Sequence, residues 1–194
     1  ALFFTGGADD DLLINSNSVS ELSFSGGADE DVLQNSGSVI DSVLFLGGAD
    51  DDVLINFGSL IDSLTFAGGA DDDIFVNNGQ SIGEISFVGD LGNDTLIARG
   101  SGKGTGSRIV FTGGSGIDAF ENNAINVGSV VFTGGLDDDA MLNNAMDLAS
   151  IVFHGDDGSD VFVNHGGEIV ELIFDGGADD DVFVNDGVGL VSIQ

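Results

Sequence analysis

The chain has no cysteine and only three basic residues, and no apolar run approaches the ~20 residues of a membrane-spanning helix. Without cysteine, disulfides and thiolate metal sites are excluded. Three Lys plus Arg against 34 Asp plus Glu leave a net charge of -31. Nucleic acid is an unsuitable partner at that charge, because phosphate contacts need the opposite sign. Anionic membrane surfaces are excluded for the same reason, and no membrane insertion is expected. Strong negative charge often marks disorder, but a hydrophobic content of 42% predicts an ordered chain. An ordered body with this charge calls for bound cations. The sequence starts at Ala1 and stops at Gln194, each partway through a repeat. It is expected to be a piece of a longer array, with any secretion signal outside it.

What is present is a repeat. Gly47-Gly48-Ala49-Asp50-Asp51-Asp52-Val53-Leu54-Ile55-Asn56 occurs in nine lightly varied copies, with first glycines at 6, 26, 47, 68, 89, 113, 134, 155 and 176. The steps are 20 or 21 residues, with one of 24. A fixed period of this length predicts stacked units, each resting on its neighbours. Within one unit, Leu64-Thr65-Phe66 alternates as a strand, Gly68 to Asp73 is a turn, and Ile74-Phe75-Val76 is a second strand. Asn77-Asn78-Gly79 turns again, and Ile82 leads to the next unit. Apolar spacing of two and frequent glycine argue against helix.

Aligned units give columns. Phe4, Phe24, Phe45, Phe66, Phe87, Phe111, Phe132, Phe153 and Phe174 form one. The column through Leu54 and Phe75 forms another, and that through Ile40, Ile61 and Ile82 a third, interrupted near Gly106. Asn15, Asn35, Asn56, Asn77, Asn122, Asn143, Asn164 and Asn185 form an amide column broken at Ala98. The predicted fold is an all-β parallel β-solenoid of about nine 21-residue coils, a single array over 1–194. The insertion Arg99 to Arg108 holds every basic residue and predicts a loop at a corner. A contact from it to the acidic edge of a neighbouring rod is the second reading.

The sixth loop position is aspartate in every copy: Asp11, Asp31, Asp52, Asp73, Asp94, Asp118, Asp139, Asp160 and Asp181. The fourth is Asp9, Asp29, Asp50, Asp71, Asp137 or Asp179, and glycine in the other three copies. Stacking puts these carboxylates above one another, and two charges 4 Å apart repel by ~1 kcal/mol even in water. A hard divalent cation removes the repulsion. Calcium, which accepts six to eight carboxylate and carbonyl oxygens in flexible geometry, suits such loops better than magnesium. All fifteen aspartates are candidate calcium ligands; the alternative is a solvated acidic edge.

Gly113-Gly114-Ser115-Gly116-Ile117-Asp118-Ala119-Phe120-Glu121 matches the nonapeptide GGxGxDxUx in full, and so resembles the calcium-binding repeat of RTX (repeats-in-toxin) proteins. Gly89 to Ile97 and Gly155 to Val163 are similar, and the other six loops carry Asp for the fourth-position Gly. The resemblance implies that the sixth-position aspartates and loop carbonyls of adjacent coils hold calcium. It also implies secretion or display at the cell surface, with folding on meeting external calcium. The RTX roll has two nonapeptides per coil; here each is followed by 12 residues without one, so calcium is expected along one edge.

The second strand is apolar on both sides. With Leu54 and Phe75 inward, Val53, Ile55, Ile74, Val76, Val161, Val163, Val182 and Val184 point outward. A strand of this kind is usually covered on both faces. A second rod, or another part of the parent chain, is expected against it. No catalytic constellation recurs or stands out, and His154 and His165 read as surface residues. The expected function is therefore non-enzymatic: a calcium-stiffened extracellular structural or adhesive rod that associates laterally or end to end. Two other classes remain open: an RTX module of a secreted enzyme or toxin whose catalytic region lies elsewhere, and a ligand- or ice-binding solenoid. The irregular outward column Thr5, Ser25, Leu46, Ala67, Val88 speaks against ice.

Overall fold

The computed structural model describes residues 1–193. Among them there is no helix; strands form two parallel sheets, of ten and nine strands, in strict sequence order. The fold is the expected β-solenoid, each coil adding one strand to each sheet. The first sheet runs from Leu2–Gly7 to Ser192–Ile193, and the second from Leu12–Asn15 to Val182–Asn185. At ~4.8 Å per coil the stack is roughly 40 Å tall.

Register is fixed by side-chain alternation, since a one-residue slip would turn the core outward. Phe24 pairs with Phe45, Phe45 with Phe66, and Phe66 with Phe87. Their rings stack at 4.8–4.9 Å and within 4–5° of parallel. Phe75, from the second sheet, meets Phe66 and Phe87 edge-on at 6.1 and 5.9 Å. The space between the sheets is thus closed by aromatic faces along the rod and aromatic edges across it, both favourable ring geometries.

The 24-residue step is absorbed by a local register shift, after which both sheets resume their pairing. Phe87 still pairs with Phe111, and Leu96 with Phe120. The extra residues form an irregular bulge in the strand Ser101–Ser115, with Gly102 opposite Ile82 and Gly104 opposite Val127. The third apolar column is therefore broken at Gly102–Gly104, slightly before the expected Gly106. Lys103 of this insertion binds Asp62 of its own chain.

One feature differs from the sequence reading. The third side of the coil is continuous with the first strand of the next coil, as in Ser38–Gly48 and Ser59–Gly69. The strand turns the corner at left-handed residues, Val39 (φ 61°) and Leu60 (φ 56°) among them. Nothing in a branched side chain announces that conformation, which costs such residues ~1–3 kcal/mol. The ladders on either side hold it in place.

The asparagine column forms. Asn35 Nδ2 donates to Asn56 Oδ1 and Asn56 Nδ2 to Asn77 Oδ1, each at 2.8 Å. The Asn56 Oδ1 atom also accepts the Gly58 N–H, so one amide closes its own turn and joins two coils.

Substitution of a ladder residue should be felt by both neighbours. Phe66→Ala is expected to lower unfolding free energy by ~3–5 kcal/mol, and Asn56→Ala by ~1–3 kcal/mol, in urea melts followed by circular dichroism. Loss of stability with Asn56→Ala no greater than with an exposed control such as Asn17→Ala would count against the amide column as a structural element.

Candidate metal edge and its buried aspartates

Each loop joins a first-sheet strand to a second-sheet strand, and two of its positions lie at positive φ. The second holds glycine, as in Gly48 (φ 131°), or aspartate, as in Asp90 (φ 79°). The fourth holds Gly92, Gly116 or Gly158, or aspartate, as in Asp50 (φ 69°) and Asp71 (φ 72°). Aspartate tolerates the left-handed region better than most residues. This explains how Asp can take the place of Gly in the loop, at φ 67–76° where the glycines sit at 115–148°. All six fourth-position carboxylates, Asp9, Asp29, Asp50, Asp71, Asp137 and Asp179, are exposed.

The sixth-position aspartates form the expected column, but they face inward. Asp31, Asp52, Asp73, Asp94, Asp118, Asp139 and Asp160 are buried, while Asp11 and Asp181 in the outermost coils are partly so. The backbone N–H of each donates to Oδ1 of the next, from Asp11 N–H to Asp31 through to Asp160 N–H to Asp181, at 2.7–3.0 Å. That ladder crosses the 24-residue step unbroken.

The other oxygen, Oδ2, has no hydrogen-bond partner in any of the seven buried members. It lies against the first glycine of its own loop. A Cβ built on Gly47 would collide with Asp52 Oδ2 and would stand 2.7 Å from the Gly68 carbonyl oxygen of the next coil. The same pair of oxygens surrounds that point at Gly89 and Gly113. The first glycine is thus invariant because the carboxylate occupies the place of its side chain.

Burial is the main cause of altered ionisation. Desolvation, reinforced by neighbouring acids, pushes Asp52, Asp94 and Asp139 up to about 7 and Asp73 to about 8. Asp118 rises to about 6 from burial, and Asp31 and Asp160 shift in the same direction. The hydrogen bond from the preceding backbone N–H opposes each shift without cancelling it.

The fourth and sixth carboxylates of one loop therefore point apart, one to solvent and one to the core. Among the described residues no three His, Asp or Glu side chains converge on a metal-sized point. Each orphaned carboxylate oxygen shares its surroundings with a glycine carbonyl of the next coil, packed against the first glycine of its own loop. Calcium takes six to eight oxygens, so this pair alone would be a partial ligand set and the exposed loop would have to supply the rest. His154 and His165 sit outside the edge, beside Asp175 and Asp186 respectively.

The raised carboxyls have a consequence for stability without metal. Each folded carboxyl holds its proton more tightly than the unfolded one. Its stabilising contribution is complete below the unfolded value of 3.8 and is lost as pH rises through about 7 to 8. In chelator, the melting temperature is expected to fall from pH 4 to pH 8. Asp73→Asn keeps an acceptor for the Asp52 N–H and cannot ionise. It should melt higher than the unmodified chain at pH 8 in chelator and show a shallower slope; equal slopes would mean that Asp73 is ionised throughout.

No protein-family model matches the chain, and neither a curated protein nor a solved structure matches it.

Proposed function

We propose that the chain is a non-enzymatic structural rod of the extracellular space or cell surface, stiffened by calcium along its loop edge and joined laterally through its apolar face. The observation that carries this reading is the unpartnered Oδ2 repeated in seven consecutive buried aspartates. A buried acceptor left unsatisfied costs ~1–3 kcal/mol, more when charged. Seven in a row are not an isolated packing defect; they form a linear array built to one pattern.

Two responses are open to such an array. Protons neutralise it below the raised ionisation range, and a divalent cation neutralises it above that range. Near pH 7.5, within that range, part of the array is ionised and open to a cation. Asp31, Asp52, Asp73, Asp94, Asp118, Asp139 and Asp160 would then supply the carboxylate oxygens, with first-glycine carbonyls of adjacent coils beside them. Asp9, Asp29, Asp50, Asp71, Asp137 and Asp179 would supply an exposed negative field that draws cations to the edge. The protein's own part is to hold Oδ1 by a backbone N–H and leave Oδ2 free.

The structural rather than catalytic reading follows from repetition. An acid that works in a reaction is singled out from its neighbours; these are made equivalent by the stack. The outward face of the second sheet supplies the means of association. Its short strands carry Val53, Ile55, Ile74, Val76, Val161 and Val163 outward, all partly accessible.

Calcium is expected to raise the melting temperature at pH 7.5, with little effect from magnesium at equal concentration. A ligand at a hundred times its Kd contributes ~2.7 kcal/mol per site. Isothermal titration should show uptake of several ions, diminished by Asp73→Asn and by Asp94→Asn. Identical melts in calcium and in chelator at pH 7.5 would overturn the proposal.

A further inference from the structure

The outward face of the second sheet is uneven in a way that specifies its partner. Along the column that begins each short strand, the side chains are Val53, Ile74, Thr95, Ala119, Ala140 and Val161. The two alanines leave a groove of about 420 Å³ over coils six and seven, walled by Ile97, Leu142 and Val163. Coil four carries the opposite feature, an isoleucine at position 74 that is 40% exposed. Dent and ridge lie on either side of the boundary between coils five and six.

Charge follows the same division. Glu121, in coil six, is the one charged residue among the outward residues of the short strands. Arg99, in coil five, follows the strand Thr95–Ala98, is exposed and has no ion-pair partner among the described residues. Asn123 Nδ2 donates to Glu121 Oε1 at 2.5 Å, so the carboxylate leans towards the column that contains both Asn123 and Arg99.

We infer that this face binds a second copy of the chain, face to face and with the rods antiparallel, about a two-fold axis that runs along the strands between coils five and six. The inference rests on the lateral association proposed above and gives it a partner and an orientation. Such an axis sets coil six against coil five of the partner, coil seven against four, and coil eight against three, without shifting positions along the strand. Ala140 then receives Ile74, Ala119 receives Thr95, and Val161 meets Val53. Arg99 comes over Asn123 of the partner, beside the Glu121 carboxylate, and the contact occurs twice by symmetry. Isologous interfaces are self-complementary in this sense.

The alternative two-fold, along the rod axis, sets each coil against itself. With the axis over the third strand position it faces Glu121 with Glu121, and wherever the axis passes it leaves both alanine dents opposite alanine-bearing coils. Like charges in juxtaposition at an otherwise uncharged interface cost several kcal/mol. Overlap of eight coils, each ~4.8 Å tall and ~16 Å wide, covers roughly 600 Å² per copy. The total of about 1,200 Å² reaches the lower end of specific interfaces. Although the chain carries a charge of -31, only this one acid lies on the outward short-strand face, so the strongest repulsion stays at the loop edges.

Sedimentation velocity in millimolar calcium tests association, and cysteine cross-linking tests orientation in a chain that has no cysteine of its own. The unmodified chain should sediment as a dimer or larger assembly. Arg99→Glu and Glu121→Arg, both at accessible positions, should each weaken association at least ~tenfold, and the double exchange should restore it. Ala140→Cys mixed with Ile74→Cys should form a disulfide-linked pair, and Ile55→Cys alone should not. Self-linking of Ile55→Cys without the 140–74 product, or no rescue by the double exchange, would overturn the antiparallel arrangement and leave lateral association standing. A monomer at 100 μM (roughly a hundredfold above a micromolar Kd) would overturn both.

Discussion

The solenoid depends on how a buried carboxylate is accommodated once per coil. One oxygen is bound by the backbone of the coil before it, and the other has no partner. Everything near the loop is arranged around that side chain. The first glycine makes room for it, the left-handed second and fourth residues return the chain over it, and the apolar strand follows immediately. Unit charges 4 Å apart interact by ~1 kcal/mol in water and ~4 kcal/mol at the effective dielectric of a protein surface. A column of ionised, uncompensated aspartates would oppose the very stacking that creates it. The stack is therefore a device whose cohesion is set by what neutralises its acids.

The remaining interactions are cooperative in one dimension. Phenylalanine rings stack on rings, amides bond to amides, and backbone ladders run from coil to coil. Each inner coil has two neighbours and no others, so stability accumulates through nearest-neighbour interfaces rather than through one central core. That arrangement lets an insertion such as Gly102–Gly104 be tolerated. The disturbance is confined to one corner, while Phe111 and Phe120 resume their columns.

Much of this was legible in the sequence because a repeat displays its own alignment. The columns of Phe, Leu and Asn, the two strands per unit and the parallel stacking are all visible from residue spacing. The inward direction of the sixth aspartate was not read, although a signal for it exists. Alternation counted back two residues from Leu54, through Val53, turns Asp52 towards the core. Its charge argued for the surface, and the structure places it inside. The positive φ of Val39 and Leu60 left no trace in composition, since branched residues ordinarily avoid it. The pairing of Lys103 with Asp62 was hidden as well, because it spans two coils and depends on the shape of the insertion.

The amide column is absent at one coil, where Ala98 stands between Asn77 and Asn122. The same coil holds the glycine-rich bulge, so two of the longitudinal ties that bind the rod are missing at one height. The aspartate ladder, the ring stack, the strand pairing and corner hydrogen bonds such as Asn123 N–H to the Ala98 carbonyl still cross it. Under tension or partial denaturation the rod has a built-in seam there. On either side the amide chain is intact, from Asn15 to Asn77 and from Asn122 to Asn185, so the coil between them is the one held by fewest side-chain ties.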